Sequence, residues 1–322
     1  MCGVIYFFLG LCDYFTHLFF CSIFEAMWAY LLTQIKQQNI KALARCISLV
    51  ENEMPGYLNF LATIPTSTTP VIGITGPPGA GKSTLVDAVI EALVKDNKKV
   101  AILCVDPSSP FNLGALLGDR IRMSSWYNHP NVYIRSLATR GSLGGLHPKI
   151  IEISDVLKIA GFDYILIETV GVGQSEIEIA GLADCTVVVM VPEAGDDIQT
   201  MKAGLMEIAD IFVVNKSDRP AADIFVKNLR QMLAPAFYQK QHEIAIVKTI
   251  ATQKLGIDIL LKKIQQHILL LTINNKRNYL LAEKAFQLIQ HKRMANVDKQ
   301  QLLQQINNSG TNFNLYTFIQ KF

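Results

Sequence analysis

Gly76-Pro77-Pro78-Gly79-Ala80-Gly81-Lys82-Ser83 has the residue types and the spacing to hold a phosphate chain. The stretch satisfies G-x-x-x-x-G-K-[ST]. Its glycines let successive backbone N–H groups curl around an anion, and the helix that follows adds the partial positive charge of its N-terminus. Lys82 is placed to reach β- and γ-phosphates. Ser83, with Thr84 beside it, offers a hydroxyl to Mg²⁺. The flanks fit this chemistry. Val71-Ile72-Gly73-Ile74-Thr75 is a short apolar run of strand type, and Val86, Val89, Ile90, Leu93 and Val94 follow at helical spacing.

A second group selects the base. Asn215-Lys216-Ser217-Asp218 follows an apolar run and matches N-K-x-D, the guanine-reading pattern of GTPases. A carboxylate at Asp218 accepts from guanine N1–H and from the exocyclic amine. Adenine lacks that donor pair, so a site built for guanine leaves the acceptor unpaired with ATP. The expected bound nucleotide is therefore GTP or GDP. Ala251, in the loop Thr249–Thr252, is expected to turn a backbone N–H to the guanine oxygen. Glu168-Thr169-Val170-Gly171 ends another apolar run where many GTPases carry D-x-x-G. Its carboxylate is expected to hold Mg²⁺, and Gly171 to offer its N–H to the γ-phosphate and move when that phosphate leaves. Asp106 and Asp119 are two further acids for the Mg²⁺ shell.

These residues need a scaffold that brings them together. Strand-like stretches at Val100–Val105, Tyr133–Ala138, Tyr164–Ile167, Thr186–Val191, Ile211–Val214 and Ile244–Thr249, most of them continuous apolar runs, alternate with helical stretches. That pattern predicts an α/β fold, a mostly parallel sheet covered by helices on both faces. Gly76, Asp106, Glu168 and Asn215 then fall at the carboxyl ends of strands, which line one crevice. The division expected is a hydrophobic lead over 1–26, an N-terminal helical segment over 27–66 with Asn39 as a cap, a P-loop GTPase domain over 67–256, and a C-terminal helical arm over 257–322.

The 322 residues suffice for one large α/β domain with helical additions, and half of them are hydrophobic. A net charge of +3 gives no reason to expect a nucleic-acid partner. The six cysteines form no C-x-x-C pair and have no histidine at ligand spacing, which argues against zinc and against a disulfide framework. A reducing, cytoplasmic setting fits that usage. Gly3–Phe24 is almost wholly apolar, with Asp13 and His17 interrupting it and no basic residue before Lys36. It lacks the positive start of a secretory signal. It reads as a start set too early, with Met27 the first residue of the body, as a membrane or interfacial anchor, or as a buried helix.

Several strings together resemble the MeaB/ArgK/MMAA family, GTPases associated with methylmalonyl-CoA mutase. They are Val105-Asp106-Pro107-Ser108-Ser109-Pro110-Phe111, Leu117-Gly118-Asp119-Arg120, Arg140-Gly141-Ser142-Leu143-Gly144-Gly145, Ile167-Glu168-Thr169-Val170-Gly171-Val172-Gly173-Gln174-Ser175-Glu176 and Met206-Glu207-Ile208-Ala209-Asp210. The resemblance covers roughly residues 30–320. It implies a G protein acting as chaperone for an adenosylcobalamin-dependent mutase, with hydrolysis gating cofactor delivery and protecting the mutase. It implies a homodimer held by a C-terminal arm, and Mg²⁺ held by Ser83, Asp106, Asp119 and Glu168. Gly195–Lys202 resembles a switch that senses the mutase, in which Gln199 and Lys202 complete the hydrolysis site beside Lys82. Ile250 stands where the family often has serine. Three other readings compete: a kinase linked to amino-acid transport, which Asn215 and Asp218 oppose; a metal-insertion GTPase, which usually brings a His-rich tract or a Cys pair; and a membrane-tethered targeting GTPase, which rests on residues 3–24 alone.

Overall fold

The computed structural model describes residues 23–106, 123–139, 146–169, 175–195, 208–239, 244–270, 275–294, 297–309 and 313–321. Two compact units divide the chain, Met1–Asn274 and Asn275–Phe322. In the first, seven strands form one sheet: β1 (Val71–Thr75), β2 (Val100–Asp106), β3 (Val132–Ala138), β4 (Tyr164–Glu168), β5 (Cys185–Met190), β6 (Ile211–Val214) and β7 (Ala245–Lys248). Their order is β3-β2-β4-β1-β5-β6-β7, and every neighbouring pair is parallel. β1, β2, β5 and β6 are buried at every position. That is why these strands read as unbroken apolar runs: both faces of a parallel sheet are covered by helices.

Helices α1 (residues 23–36), α2 (Ile40–Glu51), α3 (Tyr57–Thr63), α4 (Lys82–Lys95), α5 (Ile150–Lys158), α6 (Ser175–Leu182), α7 (Ala222–Gln239) and α8 (Ile257–Leu270) surround the sheet. Successive strand residues serve opposite faces. Val187 and Val189 join Ile72, Ile102, Leu166 and Val213 beneath α4 and α8, while Val188 and Met190 join Phe212 and Val214 beneath Phe225, Leu229 and Leu233 of α7. The sequence places α8 with the C-terminal arm. In the structure its Ile257, Leu260, Leu261 and Ile264 lie in the same buried cluster as Leu85, Val89, Ile90 and Leu93 of α4.

The N-terminal helices are seated by specific contacts. Asn39 caps α2, its side chain accepting from Lys41 N and Ala42 N, a device of about 1 kcal/mol. Trp28 stacks on Phe60 at 4.7 Å between ring centroids and donates to the Pro55 carbonyl at 2.9 Å. Met27 lies inside α1, which runs through that position without interruption. The stretch 64–70 carries no regular structure, yet Ser67 Oγ and Thr69 Oγ1 donate to Lys158 O at 3.0 and 3.3 Å. These bonds fix the chain's entry into β1.

The second unit contains α9 (Asn275–Arg293), α10 (Lys299–Asn307) and α11 (Leu315–Ile319). Asp298 and Asn314 cap α10 and α11. Among the described residues no helix is long and apolar enough to cross a membrane. Residues 1–22, which hold most of the hydrophobic lead, lie outside them.

Candidate nucleotide-binding site

The strand order places the phosphate loop at the centre of the sheet. β1 lies between β4 and β5, and the chain builds β2 and β3 on one side before it builds β5, β6 and β7 on the other. A crevice opens at the carboxyl ends where that direction changes. Gly76 follows β1, Asp106 ends β2, Glu168 ends β4 and Asn215 follows β6.

Two glycines make the loop possible. Gly76 has φ +140, and a Cβ there would stand 2.1 Å from the Val189 carbonyl oxygen of the neighbouring strand. Gly81 has φ +88, and a Cβ there would stand 2.5 Å from Asn215 Nδ2. No side chain caps α4, because Gly81 occupies that place. The first-turn N–H groups of α4 therefore face the loop, where an anion can take them. Pro77 is half-buried, Pro78 and Gly79 are exposed, Ala80 is buried and Thr84 is half-buried. Lys82 is 7% exposed, and its Nζ donates to the Gly76 and Pro77 carbonyls at 2.9 and 3.2 Å. These contacts hold the ammonium at the mouth of the loop.

Ser83 Oγ donates to Glu168 Oε1 at 2.6 Å, with Ser83 7% and Glu168 4% exposed. Asp106, at the end of the adjacent strand, is 3% exposed. Hydroxyl and carboxylate oxygens are the donors that a hard divalent cation selects. Two acids held in the interior at neighbouring strand ends favour a positive charge beside them. The donor set thus fits Mg²⁺ at Ser83, Glu168 and Asp106. Asp119 and Gly171 lie outside the described residues, as do Gln199 and Lys202.

The guanine motif is bound to the phosphate loop through its own side chains. Asn215 Nδ2 donates to Ala80 O at 3.0 Å, and Asn215 Oδ1 accepts from Thr249 Oγ1 and Ala251 N, each at 3.1 Å. Lys216, in the left-handed region at φ 54, donates from Nζ to Gly79 O at 2.8 Å. Asp218 is exposed, with its carboxylate open to a ligand. The Ala251 N–H, expected to meet guanine, is donated to Asn215 in this structure. A further tie crosses the pocket's rim. Lys254 Nζ lies 2.5 Å from Glu91 Oε2, joining the guanine loop to α4. Paired with Lys254 and Lys95, Glu91 is held below the usual carboxylate range.

Sequence reasoning does not single out Thr249 or Glu91 as site residues. Thr249 carries a weak signal, a hydroxyl residue directly after an apolar strand. Glu91 carries none, being one acid on an amphipathic helix.

Comparison with known proteins agrees with this geometry. The profile of the family described as Methylmalonyl Co-A mutase-associated GTPase MeaB matches residues 43–307. The chain belongs to that family. A Pyrococcus abyssi protein named as a GTPase is 47% identical over 245 residues, 74% of this chain and 75% of its own length. A protein of Geobacillus kaustophilus named fused isobutyryl-CoA mutase is 36% identical over 242 residues, 69% of this chain but 22% of that protein. The crystal structure of a protein named LAO/AO transport system kinase superposes with a TM-score of 0.63 at 26% identity, covering 92% of this chain and 96% of that one. The resemblance seen in the sequence is thus borne out, and with it the fold and the class of reaction: a P-loop GTPase that binds GTP and GDP and hydrolyses the former.

For this GTPase the residues divide the work. The loop amides and the Lys82 ammonium gather at one mouth, a donor set of the kind that suits phosphate charge. Mg²⁺, when bound, supplies further neutralisation of the phosphate oxygens. Asn215 fixes the two loops to each other, bonding Ala80 on one side and Thr249 and Ala251 on the other. Thr169, 2% exposed, donates from Oγ1 to Thr75 Oγ1 at 2.9 Å and from its N–H to Ile74 O at 3.0 Å. The chain beyond it therefore leaves from a fixed point beside the phosphate loop.

Proposed function

We propose that this GTPase is Mg²⁺-dependent and serves as a chaperone for an adenosylcobalamin-dependent acyl-CoA mutase of the methylmalonyl-CoA mutase kind. GTP hydrolysis gates loading of the cofactor and protects the mutase. The observation that carries this reading is the Geobacillus protein, in which a segment homologous to this chain makes up 22% of a protein named as a mutase. Fusion keeps two activities at a fixed high effective concentration. Two separate chains with the same joint task need an interface instead. The family's own description, mutase-associated, points the same way.

In this reading Gly195–Lys202 is the switch that the mutase orders. Gln199 positions the attacking water, and Lys202 brings positive charge to the γ-phosphate as an arginine finger does. Turnover is slow alone and fast in the complex. The chain acts as a homodimer through its C-terminal helices, in the cytoplasm. The test is Lys202→Ala, assayed for GTP turnover with and without the mutase. The expected result is basal turnover near that of the parent protein and lost stimulation. Undiminished stimulation rejects the role of Lys202.

The name of the protein in the superposed crystal structure favours a second reading, a kinase in amino-acid transport. Equal affinity for ATP and GTP would support it. The exposed carboxylate of Asp218, beside an Asn215 locked to the phosphate loop, supports the guanine nucleotide instead.

A further inference from the structure

At the amino ends of the strands, opposite the nucleotide pocket, three unlike donors converge. Cys185 opens β5, Asp210 immediately precedes β6, and His267 lies in the last turn of α8. Their thiol sulphur, carboxylate oxygen and imidazole nitrogen all lie within 4.8 Å of one another. No spacing in the sequence foretells this, because the three come from separate elements that only the fold brings together. The carboxylate is already oriented: Asp210 Oδ2 accepts from Thr186 N at 2.8 Å. His267 Nε2 stands 3.7 Å from that same oxygen. This exceeds a hydrogen bond. It is close to the edge of a tetrahedral zinc site, whose ligands at about 2.0–2.3 Å from the metal lie roughly 3.3–3.6 Å apart.

The exposure of the three is graded. Cys185 is fully buried, whereas the side chains of Asp210 and His267 are 21% and 30% exposed. A cation would enter between the two outer groups and meet the sulphur beneath them, with its fourth position open toward solvent. Thiolate, imidazole and carboxylate together suit a borderline-soft divalent ion. The Mg²⁺ donors at the other end of the sheet are oxygen alone.

We propose that Cys185, Asp210 and His267 form a second cation site, specific for zinc-class divalent metals and separate from the nucleotide site. Burial, together with Asp210 and Asp184 nearby, holds the Cys185 thiol well above its ordinary pKa. A thiol ligates a metal as its thiolate, so binding releases a proton. The bound ion joins the last turn of α8 to the amino ends of β5 and β6.

The experiment is titration of the full-length protein with Co²⁺, in the presence of Mg²⁺ and GDP, followed by absorption. One equivalent should bind with a thiolate-to-cobalt charge-transfer band, which Zn²⁺ abolishes by competition. Cys185→Ser should remove the band. His267→Gln should weaken Co²⁺ binding by at least the roughly 10–100-fold that loss of even an outer-shell partner costs. Absence of a thiolate band in the parent protein overturns the proposal, as does a band that survives either substitution at full affinity. His267 is partly exposed, so its variant decides the question even if Cys185→Ser does not fold.

Discussion

The nucleotide unit and the C-terminal unit use helices in opposite ways. α4 is 14 residues long and buries Leu85, Val86, Val89, Ile90 and Leu93 against the sheet. Each such side chain is worth about 1.5–3 kcal/mol. α9 is longer, at 19 residues, yet leaves Tyr279 68%, Phe286 59% and Ile289 53% exposed. Tyr316 in α11 is 75% exposed, and Phe318 is the buried hydrophobic side chain among the described residues of that unit. One unit spends its apolar surface on holding a loop still. The other leaves much of the apolar surface of its described helices exposed. Rigidity at the catalytic end and availability at the arm are thus different uses of the same residue types.

The largest effect is expected where the base is read. Asp218→Asn should reduce selectivity for GTP over ATP by on the order of 10⁴-fold, the scale set when a polar partner is built into a site. Binding competition between the two nucleotides measures it, and unchanged selectivity would place guanine recognition elsewhere. Next in size, Lys82→Ala should lower GTP turnover by about 10²–10³-fold. The variant should stay folded by circular dichroism, with a modest loss of stability because the Gly76 and Pro77 carbonyls lose the ammonium that bonds them.

A smaller effect is expected where the N-terminal helices meet the sheet. Glu51 on α2 lies 2.8 Å from Arg135 of β3 and 3.6 Å from His147. The nearby imidazole of His147, and then Arg135, holds its carboxyl down at about 2 against an ordinary 4.5. A depressed carboxylate contributes stability that is present above the unfolded pKa and lost as pH falls through the folded one. The wild-type protein should therefore lose stability between pH 4.5 and about 2 through this group. Glu51→Gln should cost about 1–3 kcal/mol near neutrality, and its stability should change less across that acid window. Urea melts at several pH values report both.

The smallest effect is expected in the arm. Tyr279→Ser together with Phe286→Ser should change the unfolding free energy of the dilute chain by within about 0.5 kcal/mol per site. The proposed homodimer should weaken at the same time, as sedimentation would report. A large loss of stability in the dilute chain would erase the contrast between the two units.

Much of the nucleotide site is legible in the sequence because its parts are contiguous. A phosphate loop needs its glycines at fixed offsets, and N-K-x-D puts its reader and its anchor within four residues. The strands are legible because two covered faces force unbroken apolar runs, and Asn39 is legible as a cap because its side chain serves the next turn. What connects the parts is not. Asn215 reaching Ala80, Thr249 reaching Asn215, and Lys254 reaching Glu91 all span long sequence separations. Strand order sets those meetings, and a string of alternating elements does not state it. The seat of α8 on the sheet is hidden for a similar reason, since an amphipathic helix does not say which surface receives it. The spacing rule for zinc ligands does not find Cys185, Asp210 and His267, because it looks along the chain and their meeting is across the fold.

In the proposed function, hydrolysis here answers to a mutase. The direct measurement is GTP turnover by the full chain, alone and with an adenosylcobalamin-dependent acyl-CoA mutase from the same cell. Turnover that rises when the mutase is added, and loses that rise in Lys202→Ala, is the result expected. Turnover that is the same with and without the mutase contradicts the account.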